Sequence, residues 1–416
     1  MIRLRTFSLV ALVMLAGCCA GGSVAAAPIH GCWLVPESVF SDDRTYALEE
    51  RRDLVGRALD RMKRHGIDSV FLESFVRGHA TSRCSVAGTV VPVPLRYLPA
   101  VRTEPDLLDL FIALGRERDM AVHAWVHALY LRSDNLTRVR EDDEVPTLFH
   151  DLLVTEFRTL RDKTEAQSSV RRLVDTVLEA TDRGFDTRSL AVALRDAGFG
   201  FSHSPMQQVV DSLTEAGLAG PAIFVYGPGG RLHPPLDTST NGSLYLDPAH
   251  AQVRSRLLDL CQSLVDEHPG LAGLHLDHIR FPEGGFGYDA QASGGDLQYV
   301  APETGSRERA LSTFVAECRS RVLGKVAVSA AVVPGYYLDW QGAGGSERGT
   351  GQAWFGWDLS FYTPMLYGVS GERKRSALAS YKQGLGGKAP VYPGISSLDG
   401  ARTAGWVLFD YGTLLR

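Results

Sequence analysis

Eight short apolar stretches recur along the chain, most of them separated by helical patterns, and this alternation constrains the fold more than any other feature. They are GCWLV (31–35), DSVFLE (68–73), MAVHAWV (120–126), AGLHLD (272–277), KVAVSAAVV (325–333), DLSFYTPMLY (358–367), APVYPGI (389–395) and GWVLF (405–409). Helical periodicity fills 46–67 and 105–119 early in the chain, and 253–268 and 312–322 later. Strands separated by helices pair in parallel through right-handed crossovers. Eight of them predict a closed (β/α)8 barrel of the α/β class. An open doubly wound sheet is the alternative, but no strand is followed by the glycine fingerprint that a dinucleotide requires.

One segment breaks the rhythm. Well over a hundred residues separate the third and fourth strands, and 146–220 is expected to be a helical insertion within a barrel domain spanning 28–416. Loops that follow barrel strands lie on the catalytic face, so the insertion is expected to form a wall or lid over the mouth. Its last part superficially resembles a helix-turn-helix, but there is no basic stripe and the formal net charge is -5, so nucleic acid is not an expected partner. The stretches IFVYGPGG and SLYLDP are expected to form a small hairpin before the barrel resumes.

The first residues read as a targeting segment. Arg3 and Arg5 precede an apolar run from Phe7 to Leu15, and Leu15-Ala16-Gly17-Cys18 resembles a bacterial lipobox. Residues 1–27 are therefore expected to be signal peptide and anchor, with Cys18 lipidated and the mature protein tethered to a membrane on its extracytoplasmic side. Cys32, Cys84, Cys261 and Cys318 are scattered without a CxxC pair, so buried free thiols are expected and a zinc site is not.

In a barrel of this kind the strand tips carry the chemistry. They hold Glu37, Glu73, His123, Trp125, His127, Asp277, Arg280, Tyr367 and Asp410, with Asp339 in reserve. Aromatic faces stack on sugars, while carboxylates, His and Arg bind hydroxyls, and glycoside cleavage needs two carboxyl groups. Asp277 and Glu73 are the expected catalytic pair. His275, His123, Trp125, His127, Arg280, Tyr367, Asp410 and Trp33 are expected around the substrate, with packing in the barrel as the competing role for Trp33, His275 and the other rings. His123 and His127 lie four apart on a strand, a spacing that does not converge on a metal as it would on a helix. Neither metal nor cofactor is expected.

The motifs GCWLVP, VFLESFVRG, VHAWV, LYLDPAHAQVR, GLHLDHIRFP, YYLDW, YTPMLY and GWVLFDY occur in an order that resembles the glycosyl hydrolase-like 10 family of exported bacterial barrels, over about 31–411. The resemblance implies a glycosidase acting on a cell-envelope polysaccharide, and it adds Asp247, within LYLDPAHAQVR, to the substrate residues. His278 stands where the family often has a second acid, and Phe281 where Tyr is common. Two other readings remain: a non-catalytic carbohydrate-binding barrel, and a polysaccharide deacetylase-type metal hydrolase, which would need an Asp-His-His cluster.

Overall fold

The computed structural model describes residues 28–40, 45–93, 104–134, 147–182, 187–200, 204–233, 242–293, 296–334, 349–398 and 403–415. Cys18 and Asp339 lie outside them. Eight parallel strands form the core: β1 (His30–Leu34), β2 (Ser69–Val76), β3 (Ala121–His127), β4 (Gly273–Asp277), β5 (Ala327–Val332), β6 (Phe361–Pro364), β7 (Gly394–Ile395) and β8 (Trp406–Leu408). Their order is β6-β5-β4-β3-β2-β1-β8-β7. Parallel bridges Tyr362–Val391 and Met365–Gly394 link β6 to the β7 segment and nearly close the ring. The (β/α)8 barrel expected from the sequence is thus present, each strand within its expected stretch or extending it by a few residues.

Period-two alternation divides the core into two layers. Cys32 and Leu34, Val70 and Leu72, Val122, Ala124 and Val126, Leu274 and Leu276, and Val328 and Ala330 pack outward against the helices. Trp33, Phe71, Trp125, Ala331, Phe361 and Val407 form a second cluster inside the barrel. Interiors of such barrels are usually filled by branched aliphatic residues. Here rings fill the space, and glycine makes room for them: a Cβ on Gly273 would lie 2.5 Å from His123 Nδ1 and 2.7 Å from the Ala327 carbonyl oxygen.

Helices α1 (Leu48–Arg64), α2 (Leu107–Arg116), α3 (His150–Asp162), α4 (Ser169–Asp182), α5 (Thr187–Asp196), α6 (Pro205–Glu215), α7 (Ala251–Glu267), α8 (Ser306–Arg321) and α9 (Gly371–Leu385) complete the main elements. α1 opens with Glu49 and Glu50 and ends with Arg61, Lys63 and Arg64, charges that complement its dipole. α3 to α6 follow β3 and share a buried apolar surface through Phe157, Val177, Leu190, Val209 and Leu213. Before and after these helices, Tyr130–Ser133 pairs antiparallel with Ser243–Tyr245. The expected hairpin reduces to a single bridge, Phe224–Leu246, because Ser243–Tyr245 spends its main pairing on the segment just after β3.

Cys32, Cys84, Cys261 and Cys318 are buried free thiols, and burial pushes the Cys32 and Cys84 thiols far above their ordinary range. No helix among the described residues is long and apolar enough to cross a membrane.

Candidate active site at the barrel mouth

The alternation that sends Leu274 and Leu276 outward sends His275 and Asp277 inward, so β4 ends on a carboxylate inside the barrel mouth. Asp277 is 6% exposed. Trp125 Nε1 donates to Asp277 Oδ2 at 3.1 Å, and the His278 backbone N–H donates to Oδ1 at 2.6 Å. Burial pushes this carboxyl up, but His278, His127 and Arg280 pull it down further, together with the backbone N–H, and the net effect lowers it to about 2. The two imidazoles are themselves neutral at pH 7, so at that pH the ionised form rests on Arg280 and on the two N–H donors. Arg280 also bonds the Tyr245 phenol, and Tyr245 and Asp277 hold its guanidinium charged against the cost of burial.

Glu73 reaches the same region from β2. It is 5% exposed, and His127 Nε2, on the intervening strand β3, lies 3.6 Å from its Oε1. His127 is paired in register with Asp277, on the strand that separates β4 from β2. Burial holds that ring neutral and lowers its pKa to about 4, with Arg77 and Arg280 adding to the effect against Asp277. The ring packs on Trp125 with centroids 4.4 Å apart.

The expected site residues separate by depth. His123 and His275 sit lower in the barrel, where Phe71 packs on both at centroid distances of 4.8 and 4.5 Å. His275 Nδ1 bonds Ser329 Oγ at 2.8 Å, while His275 Nε2, His123 Nδ1, Trp33 Nε1 and Thr363 Oγ1 are buried without partners. Burial lowers His123 to about 4 and His275 to about 3. Trp33 lies against Trp125, His275, Tyr367 and Phe409. Tyr367 is nearer the mouth, its phenol pushed up by burial and then by Asp277 and Asp410. Asp410 is half-buried just after β8, and Glu37 occupies the turn Pro36–Ser38 just after β1.

Asp247 lies two residues beyond Tyr245, at the entry to α7, and accepts from the Ala249 N–H at 2.8 Å. Burial raises its pKa to about 6, with nearby Asp289 pushing in the same direction. Three contributors were not singled out from the sequence: Tyr130, Tyr245 and Arg77. Tyr245 lay inside a recognised motif, but only the pairing of its strand with Tyr130–Ser133 carries it to Arg280.

Among the described residues, the His, Asp and Glu side chains close enough to share a metal are Asp106, Asp109 and His268, away from this site. Both His268 nitrogens are occupied, Nδ1 with Asp109 Oδ1 at 2.8 Å and Nε2 with the Arg83 carbonyl at 2.7 Å. Asp106 caps α2 through the Leu108 N–H at 2.9 Å. The group ties α2 to the end of α7. A surface cavity of about 540 Å³ lies beside it, lined by Asp109, Arg116, Met120 and Pro269, and includes none of the mouth residues.

No protein family matches the sequence, and no curated protein matches it. Solved structures do resemble the chain at low identity. The glycoside hydrolase domain of PgaB (BpsB) from Bordetella bronchiseptica is 13% identical, with a TM-score of 0.49, over 88% of this chain and 84% of that one. A cycloisomaltooligosaccharide glucanotransferase from Paenibacillus is 11% identical, with a TM-score of 0.43, over 89% of this chain and 38% of that one. The glycoside hydrolase domain of PelA from Pseudomonas aeruginosa is 11% identical, with a TM-score of 0.35, over 89% and 84% of the two chains.

Proposed function

We propose that this protein hydrolyses a cell-envelope polysaccharide with Asp277 and Glu73 as its carboxyl pair. The observation that carries the reading is an ionised carboxylate at the tip of β4, inside the mouth of the barrel, with a second acid two strands away on β2, beyond His127 of β3. A carboxyl held near pKa 2 cannot donate a proton at neutral pH. Asp277 is therefore assigned to attack on the anomeric carbon or to activation of water, and proton donation to the leaving oxygen falls to Glu73. Arg280 keeps Asp277 ionised before the reaction, and Trp125 and the His278 N–H fix its orientation. Helices α3 to α6, which follow β3, are assigned to a wall beside the mouth, and Cys18 to the lipid that holds the enzyme at the membrane; a diacylated Cys18 in mass spectra of the native N-terminus is the result that supports this anchor.

The test of the proton-donor role uses the leaving group. Glu73→Gln is expected to lower release of reducing ends from the natural glycan by roughly a hundredfold or more. An aryl glycoside of the same sugar, whose phenolate leaves without protonation, should be cleaved with far less loss. Asp247, raised to about 6, is the other carboxyl suited to hold a proton. If Asp247→Asn rather than Glu73→Gln gives this pattern, the donor is Asp247.

A further inference from the structure

His278 combines three features that ordinary packing does not require together. Its φ is 50°, in the left-handed region that side-chain-bearing residues rarely adopt. In that conformation its backbone N–H turns back onto Asp277 Oδ1 at 2.6 Å. Its ring packs against two others: Tyr130 stacks on it at 5.1 Å with 29° between planes, and His127 lies 5.0 Å away at 40°. Tyr245 approaches at 6.5 Å. These contacts restrict the imidazole to one orientation. Nδ1 is buried and has no hydrogen-bond partner, while the residue as a whole remains partly exposed. Burial also keeps the ring neutral at physiological pH, lowering it to about 3. A neutral imidazole offers one N–H donor and one nitrogen acceptor, the pair that a hydroxyl group complements. Backbone strain at such a point is maintained only where the surroundings hold it, and it concentrates at functional sites.

We propose that His278 is a specificity-determining residue of this site, its imidazole edge hydrogen-bonding a hydroxyl of the sugar unit seated beside Asp277. The proposal rests on the reading of the barrel mouth as a glycan site. The main chain of His278 positions the carboxylate while its side chain selects the sugar, so the two roles separate under substitution. His278→Gly removes the ring, keeps the N–H that holds Asp277, and places at φ 50° the residue that adopts it most easily. His278→Asn keeps a hydrogen-bonding group and tolerates the same backbone.

The experiment is calorimetric titration of the whole protein with tetrasaccharides of N-acetylglucosamine, glucose and galactose, alongside thermal melts. The wild type is expected to bind at least one probe. His278→Gly should bind it about tenfold more weakly, the equivalent of one lost hydrogen bond, with a Tm unchanged or raised. His278→Asn should fall between the two. Wild-type affinity in His278→Gly would overturn the proposal, as would a wild type that binds none of the probes at millimolar concentration. Loss of Tm in both variants, in step with the loss of binding, would also overturn it, since that is the mark of a structural residue. Probe binding by a wild type that releases no reducing ends refutes the hydrolase reading and leaves the His278 subsite supported.

Discussion

Asp277→Asn is expected to lower turnover of a susceptible glycan by roughly a hundred- to ten-thousandfold while leaving the barrel folded. The amide oxygen keeps one of the two N–H donors, from Trp125 or from His278, and its NH2 turns toward the other, so a small local adjustment is expected while the barrel core is untouched. What it removes is the negative charge that attacks, or that activates water. Arg280 loses its carboxylate but keeps the Tyr245 phenol and stays half-buried at the rim. Substrate affinity should therefore change much less than kcat, the pattern of a group whose interaction matters mainly in the transition state. Parallel measurement of kcat, KM and the far-ultraviolet spectrum decides the matter. A variant with wild-type kcat removes Asp277 from the chemistry.

Acidification from pH 7 to about pH 4.5 is expected to unfold the protein steeply. His123, His127 and His275 point into the barrel and His278 packs at its mouth, and burial lowers them to about 4, 4, 3 and 3. In the unfolded chain each titrates near 6.5. The folded pKa values are depressed, so between pH 6.5 and about 4 the unfolded state binds more protons, and stability falls as pH falls. The full contribution is present above 6.5. Four protons correspond to a slope on the order of 5 kcal/mol per pH unit, against a total stability of about 5–15 kcal/mol for an ordinary domain. Asp277 acts in the same direction lower down, since its depressed pKa stabilises the fold above about 3.8 and that support is lost toward 2. Asp247, raised to about 6, works the other way and offsets part of the slope between about 4 and 6. Urea melts at half-unit pH intervals measure the effect. A slope near three protons around pH 5.5, once the Asp247 offset is included, and reduced by about one in His123→Gln, is the expected result. Stability that stays flat down to pH 4 contradicts neutral histidines in the lumen.

The barrel was legible because each strand is short, apolar and bounded by a helical stretch, and eight parallel strands have few other ways to bury both faces. The inward position of Asp277 was legible for a related reason: Leu274 and Leu276 had to face the helices, which left His275 and Asp277 on the other side. Alternation gives the face of a residue, not its depth. His123 and His275 share a face with His127 and Asp277, yet they sit a layer lower against Phe71, because depth follows from the stagger between strands. The role of His278 lay beyond sequence reading for a different reason. Its positive φ has no signal in the local sequence, and its neighbours Tyr130 and Tyr245 are joined by a strand pair formed across the insertion, Tyr130–Ser133 with Ser243–Tyr245. Asp247 fell to recognition of a motif alone, since nothing in its spacing signals the burial that raises its pKa.

A crystal structure of the Asp277→Asn variant with an uncleaved envelope oligosaccharide tests the central claim most directly. The account predicts a glycosidic linkage lying between residue 277 and Glu73, with one sugar unit against the edge of His278. The separation of the two carboxyl positions in wild type, about 5–5.5 Å or about 6.5–9.5 Å, would then tell a retaining enzyme from an inverting one. A glycan bound elsewhere on the protein, or one that reaches the mouth with no linkage near either acid, contradicts it.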